Sequence, residues 1–279
     1  MVFEILELGF MQRALIAGVA VAITASVIGL FLVLRRNSLF GDALSHVALG
    51  GIAVGLVANI YPLWTGIAFS VLGALGITKL RQYAKIPADA TVALLLSGGL
   101  ALGLLLFSLS GKRNNIISYL FGSILLIGIE DTLVILALAG TILAIVLLLY
   151  RQLMYITFDE EQAKVSGLSI SKLSYLFIVL ASVTVIVSMR LVGILLVSSL
   201  IVIPNITALL FGKGFKKTAL ISVGVSVFSV VIGIAVSYAA NIPPAATIVI
   251  VLIVVLLATL AAKYSSKKQM AEKLEAAKS

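Results

Sequence analysis

The chain of 279 residues has no cysteine, one histidine, one tryptophan and five prolines, and Asp, Glu, Lys and Arg together make up only 11% of it. Without cysteine there are no disulfides and no thiolate metal ligands. A single histidine, His46, excludes an H-E-x-x-H metalloprotease helix, and no nucleophile elbow is present, so the chain carries no metalloenzyme or hydrolase signature. No G-x-x-x-x-G-K-[ST] phosphate loop occurs either. The nearest Gly-Lys pairs, Gly111-Lys112 and Gly212-Lys213, lack the hydroxyl residue and the upstream glycine. If the chain works with ATP, another chain hydrolyses it.

What fills the space left by charge is hydrocarbon: 62% of residues are hydrophobic, a proportion that places the chain in a bilayer. A spanning helix needs about 20 mainly apolar residues. That window predicts nine spans, near 14–34, 39–58, 61–79, 90–108, 131–150, 173–189, 191–211, 218–240 and 244–262, with a count of eight to ten tolerated. The expectation is an all-α polytopic membrane bundle, with one transmembrane domain over 1–262 and a charged cytoplasmic tail over 263–279. The apolar run Ile116–Ile127 is too short to cross and reads as a re-entrant or interfacial piece. The first span is followed by no small-residue cleavage site and is not read as a removable signal peptide.

The net charge of +9 is not spread evenly. Under nine spans, segments 35–36, 79–87, 151–172, 212–217 and 263–279 hold sixteen of the twenty Lys and Arg, and the alternate segments hold four. By the positive-inside rule the basic set lies in the cytoplasm, which puts the N-terminus outside and the C-terminus inside. The basic excess thus reflects topology and contact with lipid headgroups in the cell membrane, and no nucleic-acid role is assigned.

Several segments inside this frame are informative. Gly51-xxx-Gly55 and Gly99-xxx-Gly103 place small residues one turn apart, which lets helix backbones approach closely where lipid offers no hydrophobic drive. In IVIPNIT, Pro204 removes one helical hydrogen bond and Asn205 offers an amide to the freed backbone; a kink or a gate lining the pathway are both open. Pro243-Pro244 reads as the start of the last span. In the longest cytoplasmic loop, FDEEQAKVSGLSIS, Asp159 is a natural N-cap, Glu160 and Glu161 suit a helix N-terminus, and Gly167 is a natural stop. The prediction is a two-turn helix outside the membrane, either a docking element for a partner or a solvated linker.

The sharpest feature is GDALSHVALGG, residues 41–51. Asp42 and His46 are four apart and share a helix face, among Gly41, Ala43, Ser45, Ala48, Gly50 and Gly51. Carboxylate and imidazole within a span are costly and mark functional pathways. They suit Zn²⁺ or Mn²⁺. Two ligands per chain are too few for a stable site, and a two-fold dimer would supply four. A proton relay and a structural pair remain open on the residues alone.

LRRNSLFGDALSHVALGGIAVG (34–55) resembles the second-helix motif of the ABC-type zinc/manganese importer permeases, through the arginine, Ser38-Leu39, Gly41-Asp42-Ala43 and Ser45-His46. FDEEQAKVSGLS resembles that family's cytoplasmic coupling segment, and MRLVGILLVSSLIVIPNITALL (189–210) resembles its later Pro-containing helix. The opening FEILELGFMQRALIAG is most similar to Gram-positive zinc permeases of the AdcB/ZnuB kind. Two positions depart from the pattern: Leu49-Gly50-Gly51 stands where a proline is common after the histidine block, and Ser199 where alanine is frequent. The resemblance implies a fold like that of the type II ABC importers and a homodimer forming the translocation path. It implies two copies of a separate ATPase, and an external metal-binding lipoprotein or periplasmic protein that feeds the path. Asp42 and His46 match metal-contacting positions and 158–171 matches the ATPase-touching piece. No cofactor is held permanently; the cargo expected is Zn²⁺, with Mn²⁺ next. A proton-coupled secondary transporter using Asp42 and His46 as its relay is the competing expectation.

Overall fold

The computed structural model describes residues 9–110, 120, 122 and 128–276. Eleven helices are placed among them: α1 (Gly9–Leu34), α2 (Phe40–Ala58), α3 (Pro62–Ala84), α4 (Ala88–Ser110), α5 (Ile129–Leu148), α6 (Tyr150–Phe158), α7 (Glu160–Val165), α8 (Ile170–Val192), α9 (Ile194–Leu209), α10 (Phe215–Ala240) and α11 (Pro244–Ala276). No strand occurs among the described residues. Most of the expected re-entrant piece at Ile116–Ile127 lies outside them.

Eight of these helices are long and apolar enough to cross a membrane. The ninth expected span, 191–211, is α9, with 16 residues. At 1.5 Å per residue it is about 24 Å long, short of the roughly 30 Å hydrocarbon layer. The break before it does not fall at Arg190, where the distribution of charge suggested a loop. Helix α8 runs through Arg190 to Val192 and stops at Gly193, whose φ of 82° and ψ of 163° a side chain would resist. Arg190 stays helical because Asp131 of α5 meets it. Pro62 and Pro244 open α3 and α11 at their first positions, where a missing N–H costs nothing. Helix α11 continues without interruption past 262 to Ala276, so the charged tail is an extension of the last span.

Helix α1 is the central element, with Ala14, Ala17, Val21, Ala22 and Ala25 fully buried. It packs against α5, α8, α9 and α10. Its small side chains let neighbours approach: a Cβ on Gly29 would collide with the Ile201 carbonyl oxygen and, at 2.6 Å, with Asn205 Nδ2. Helices α2, α3 and α4 form a second, tighter group. A Cβ on Gly51 would lie 2.5 Å from Phe69 Cβ and 2.7 Å from the Thr65 oxygen, and one on Gly55 would meet the Thr65 hydroxyl. With no hydrophobic drive in lipid, such close backbone contact is what holds helices together.

Contacts sort the helix ends into two sets. At one end lie the Phe31, Phe215, Tyr150 and Phe158 rings, with centroids 5.2 Å (Phe31–Phe215), 5.6 Å (Tyr150–Phe215) and 6.2 Å (Phe158–Phe215) apart. There Lys263 Nζ also donates to the Leu210 carbonyl at 2.5 Å, capping the end of α9. At the other end Asp131 Oδ2 accepts from Arg190 Nη2 at 2.9 Å, and Asp131 Oδ1 from the Tyr61 hydroxyl. The first set coincides with the basic segments of the sequence.

Candidate metal-transfer site

Asp42 and His46 lie in the first two turns of α2, which Leu39 precedes without any side-chain cap. Ser45 donates to the Asp42 carbonyl at 2.7 Å, so its hydroxyl serves the helix and not the site. His46 Nε2 stands 3.9 Å from Asp42 Oδ1, too far for a hydrogen bond. It suits a shared ion: at ligand distances of about 2.1 Å, two donors to one cation are at most roughly 4.2 Å apart. His46 Nδ1 is buried and has no hydrogen-bond partner.

The depth of the pair follows from its neighbours. Helix α4 crosses α2 where Gly99 meets the backbone of His46 and Val47; a Cβ on Gly99 would lie 2.6 Å from the His46 carbonyl carbon and from the Val47 nitrogen. Gly99 is the middle residue of the apolar stretch Asp89–Leu109. On the opposite side Val47 Cγ1 lies 2.8 Å from the place of a Cβ on Gly73, the middle residue of α3. Both registers put His46 at mid-height of the bundle, deeper than a count along α2 alone suggests.

At that depth the pair is not sealed. The side chain of Asp42 retains 31% of its accessible surface and that of His46 16%. Gly41, Ala43, Ser45 and Ala48 around them are buried. Among the described residues no three Asp, Glu or His side chains come together as a metal site, so a single chain offers one carboxylate and one imidazole.

The predicted docking helix is α7. Asp159 Oδ1 accepts from Gln162 N at 2.9 Å, which makes it the N-cap. Glu160 and Glu161 fill the first turn, and the helix ends with Gly167 at φ 80°. The helix has six residues, a little under two turns. An open groove beside it, about 780 Å³, is lined by Glu160, Glu161, Lys164, Leu168, Ser169 and Lys172.

Pro204 and Asn205 lie elsewhere, at the junction of α1, α9 and α10. Asn205 is fully buried. Its Nδ2 donates to the Ser26 carbonyl at 3.1 Å and the Ile201 carbonyl at 2.7 Å, and its Oδ1 accepts from Ser222 at 2.7 Å. The amide does not serve the Leu200 carbonyl, which Pro204 at i+4 deprives of its donor. With both amide hydrogens engaged, Asn205 ties three helices together, and the structure does not bring it to Asp42 and His46.

Sequence reasoning missed two polar clusters. One is Tyr61–Asp131–Arg190 at the far end; its signal was a lone arginine in an apolar run with an acid at the edge of another span. The other is Arg35, whose Nε donates to Thr157 Oγ1 at 3.2 Å while its guanidinium carbon sits 4.9 Å from the Phe177 ring centroid. Burial pulls the Arg35 pKa down, and the nearby Glu160 carboxylate opposes that shift.

Residues 7–263 match the ABC 3 transport family. The chain belongs to that family. It is 34% identical to the "Probable metal transport system membrane protein" of Treponema pallidum (strain Nichols), over 86% of this chain and 90% of that one. It is 30% identical to the "Manganese import system permease protein ScaB" of Streptococcus parasanguinis, over 84% and 83%. In three dimensions this ABC 3 family member superposes on a chain of "PsaBC from Streptococcus pneumoniae in complex with Fab", with a TM-score of 0.85 at 28% identity. That superposition covers 93% of this chain and 95% of the other.

Proposed function

We propose that the chain is the membrane-spanning permease subunit of an ATP-driven importer of a divalent transition metal. Two copies form the path, and Asp42 and His46 of each hold the ion in transit. The observation that carries this reading is a carboxylate and an imidazole 3.9 Å apart, part-exposed, at mid-height of a membrane bundle. A charged side chain at that depth facing lipid would cost several kcal/mol. Facing a second copy across a two-fold axis, it completes a set of two carboxylates and two imidazoles. The names of two relatives speak for metal and for manganese. The donor set suits Mn²⁺ and Zn²⁺ alike, and competitive uptake of the two ions decides between them.

On this reading the basic end is cytoplasmic, and α7 docks on an ATPase pair supplied by another chain. An external metal-binding protein delivers the cargo to the opposite end. Closure of the ATPase pair pushes α7 and rocks the two bundles between outward- and inward-open arrangements. The ion is held only in passing, since conduction needs a site weak enough to leave.

Accumulation of radioactive Mn²⁺ and Zn²⁺ in cells carrying Asp42→Ala or His46→Ala, with membrane levels of the protein checked, tests the assignment. Each variant is expected to lose at least nine-tenths of uptake, on the order of tenfold for one lost ligand. Unchanged accumulation would remove the pair from the path. Uptake by the purified chain driven by a proton gradient alone, without an ATPase, would turn the same pair into a proton relay.

A further inference from the structure

We infer that Arg35 is a positioning residue that carries motion from the docking helix to the helix bearing Asp42 and His46, an inference that rests on the function proposed above. The turn between α1 and α2 is held by backbone hydrogen bonds on both sides. Arg36 N donates to the Val33 carbonyl at 3.0 Å and Asn37 N to the Leu32 carbonyl at 2.9 Å, with Arg36 at φ 57°. This pair of bonds closes α1 with a left-handed residue, and Phe40 N then donates to the Asn37 carbonyl at 3.0 Å, where α2 begins. Only six residues therefore separate Arg35 from Asp42, in a bonded turn and the first turn of α2, and a displacement of the Arg35 backbone is passed to α2.

The Arg35 side chain reaches away from α2, toward the docking segment. Its Nε is bonded to Thr157 in the last turn of α6, whose hydroxyl donates in turn to the Leu153 carbonyl at 2.6 Å. The Glu160 carboxylate of α7 acts on its charge. The guanidinium lies over Phe177 of α8, and Phe177 packs edge-on against Phe31 of α1 with centroids 6.0 Å apart. Leu153 and Ala163 are fully buried, so α6 and α7 move with the bundle-facing surface they sit on and not as a free loop. A force applied at α7 thus arrives at Arg35 through the Glu160 charge on α7 and the Thr157 hydrogen bond on the adjoining α6, and leaves through the bonded turn into α2. A residue serving only to fill space here needs neither the Nε donor nor the planar guanidinium.

The test uses the permease co-purified with its ATPase, reconstituted in proteoliposomes, and supplied with the external binding protein loaded with Mn²⁺. Mn²⁺ delivered per ATP hydrolysed is measured for wild type, Arg35→Lys, Thr157→Val and the double variant. Arg35→Lys keeps the charge and most of the stem and loses the Nε donor; Thr157→Val keeps the shape and loses the acceptor. Each is expected to retain ATPase association and hydrolysis and to deliver about tenfold less Mn²⁺ per ATP, the scale of one lost charge-assisted hydrogen bond. The double variant should be no worse than Arg35→Lys alone. A wild-type ratio in either stable variant overturns the inference. So does loss of ATPase co-purification, or an equal fall of hydrolysis and uptake, each of which makes Arg35 a structural anchor. A wild-type complex that shows no ATP-driven uptake refutes the proposed function instead.

Discussion

Gly99→Ala is the substitution that tests the placement of the site most directly, because Gly99 touches His46 through backbone atoms only. The added Cβ would stand 2.6 Å from the His46 carbonyl carbon and the Val47 nitrogen, and 2.8 Å from the His46 oxygen. Ordinary contact begins near 3.4 Å, so the helices must part by about 0.8 Å at that point. Helix α2 cannot retreat from the pressure, because α3 presses on its other side through Gly51, Gly66 and Gly73. Nor can α4 pivot freely, since Gly103 repeats the contact one turn on, with a Cβ there 3.1 Å from Leu49 Cγ. Overpacking of this kind costs about 1–3 kcal/mol. The Asp42 and His46 donors share one helix, so their mutual distance survives; on the proposed reading their position relative to the second copy does not. A misplacement near 1 Å in a positioned site costs up to about a hundredfold. Gly99→Ala should therefore lower the melting temperature in detergent and reduce Mn²⁺ uptake at least tenfold. The adjacent Gly98 has nothing within 4 Å of its added Cβ. Gly98→Ala should leave uptake unchanged and add up to about 1 kcal/mol of stability through helix propensity. A Gly99→Ala protein as active and stable as wild type, or a Gly98→Ala protein equally damaged, would refute the register of α2 on α4.

Three further outcomes follow from the polar contacts. Asn205→Leu removes the bonds to the Ser26 carbonyl and from the Ser222 hydroxyl in a buried junction, leaving Ser222 only its bond to the Ser26 hydroxyl, and should cost about 1–3 kcal/mol, read as a lower melting temperature of the purified chain. Asp131→Asn removes the carboxylate charge that Arg190 Nη2 donates to; with 30% of the Arg190 side chain exposed, the loss should be about 2 kcal/mol, below that of a fully buried pair, and Arg190→Met in the same chain should recover part of it. Asp159→Ala removes the α7 cap, about 1 kcal/mol of local helix stability, and should weaken co-purification of the ATPase while the melting temperature stays within a degree or two.

The eight long apolar helices were legible in the sequence because a bilayer lets few alternatives exist: each span must satisfy its own backbone, and hydropathy records that directly. The cap at Asp159 and the stop at Gly167 were legible for a different reason, since both are local and depend on residues within one turn. What a linear reading misplaced needed a partner from far along the chain. Arg190 looks like a loop residue until Asp131, 59 positions away, is seen to neutralise it inside the helix. The depth of Asp42 is hidden for a similar reason. Counting from the start of α2 says nothing of its neighbours, whereas the contacts of Gly73 and Gly99 set His46 and Val47 against the middle residues of α3 and of the apolar stretch in α4. Arg35 lay in the resembling motif without a role, because its acceptor is 122 positions away on α6.

The geometry also constrains how a site of this kind could open. Asp42 and His46 ride on one α-helix, fixed 3.9 Å apart and held between α3 and α4 by backbone contact, so a conformational change has little means of altering the spacing within a copy. On the proposed reading, what it alters is the spacing between copies. Donors bind a transition ion at about 2.0–2.2 Å, and a separation of the two copies by even 2 Å takes one pair out of reach. On the proposed reading the site would pass from four donors to two by rigid movement alone, without any side chain changing rotamer. A pair of donors is too few to retain Mn²⁺ or Zn²⁺ against water. Release would therefore need no dedicated residue beyond those that move α2, which is where Arg35 and Gly99 exert their influence.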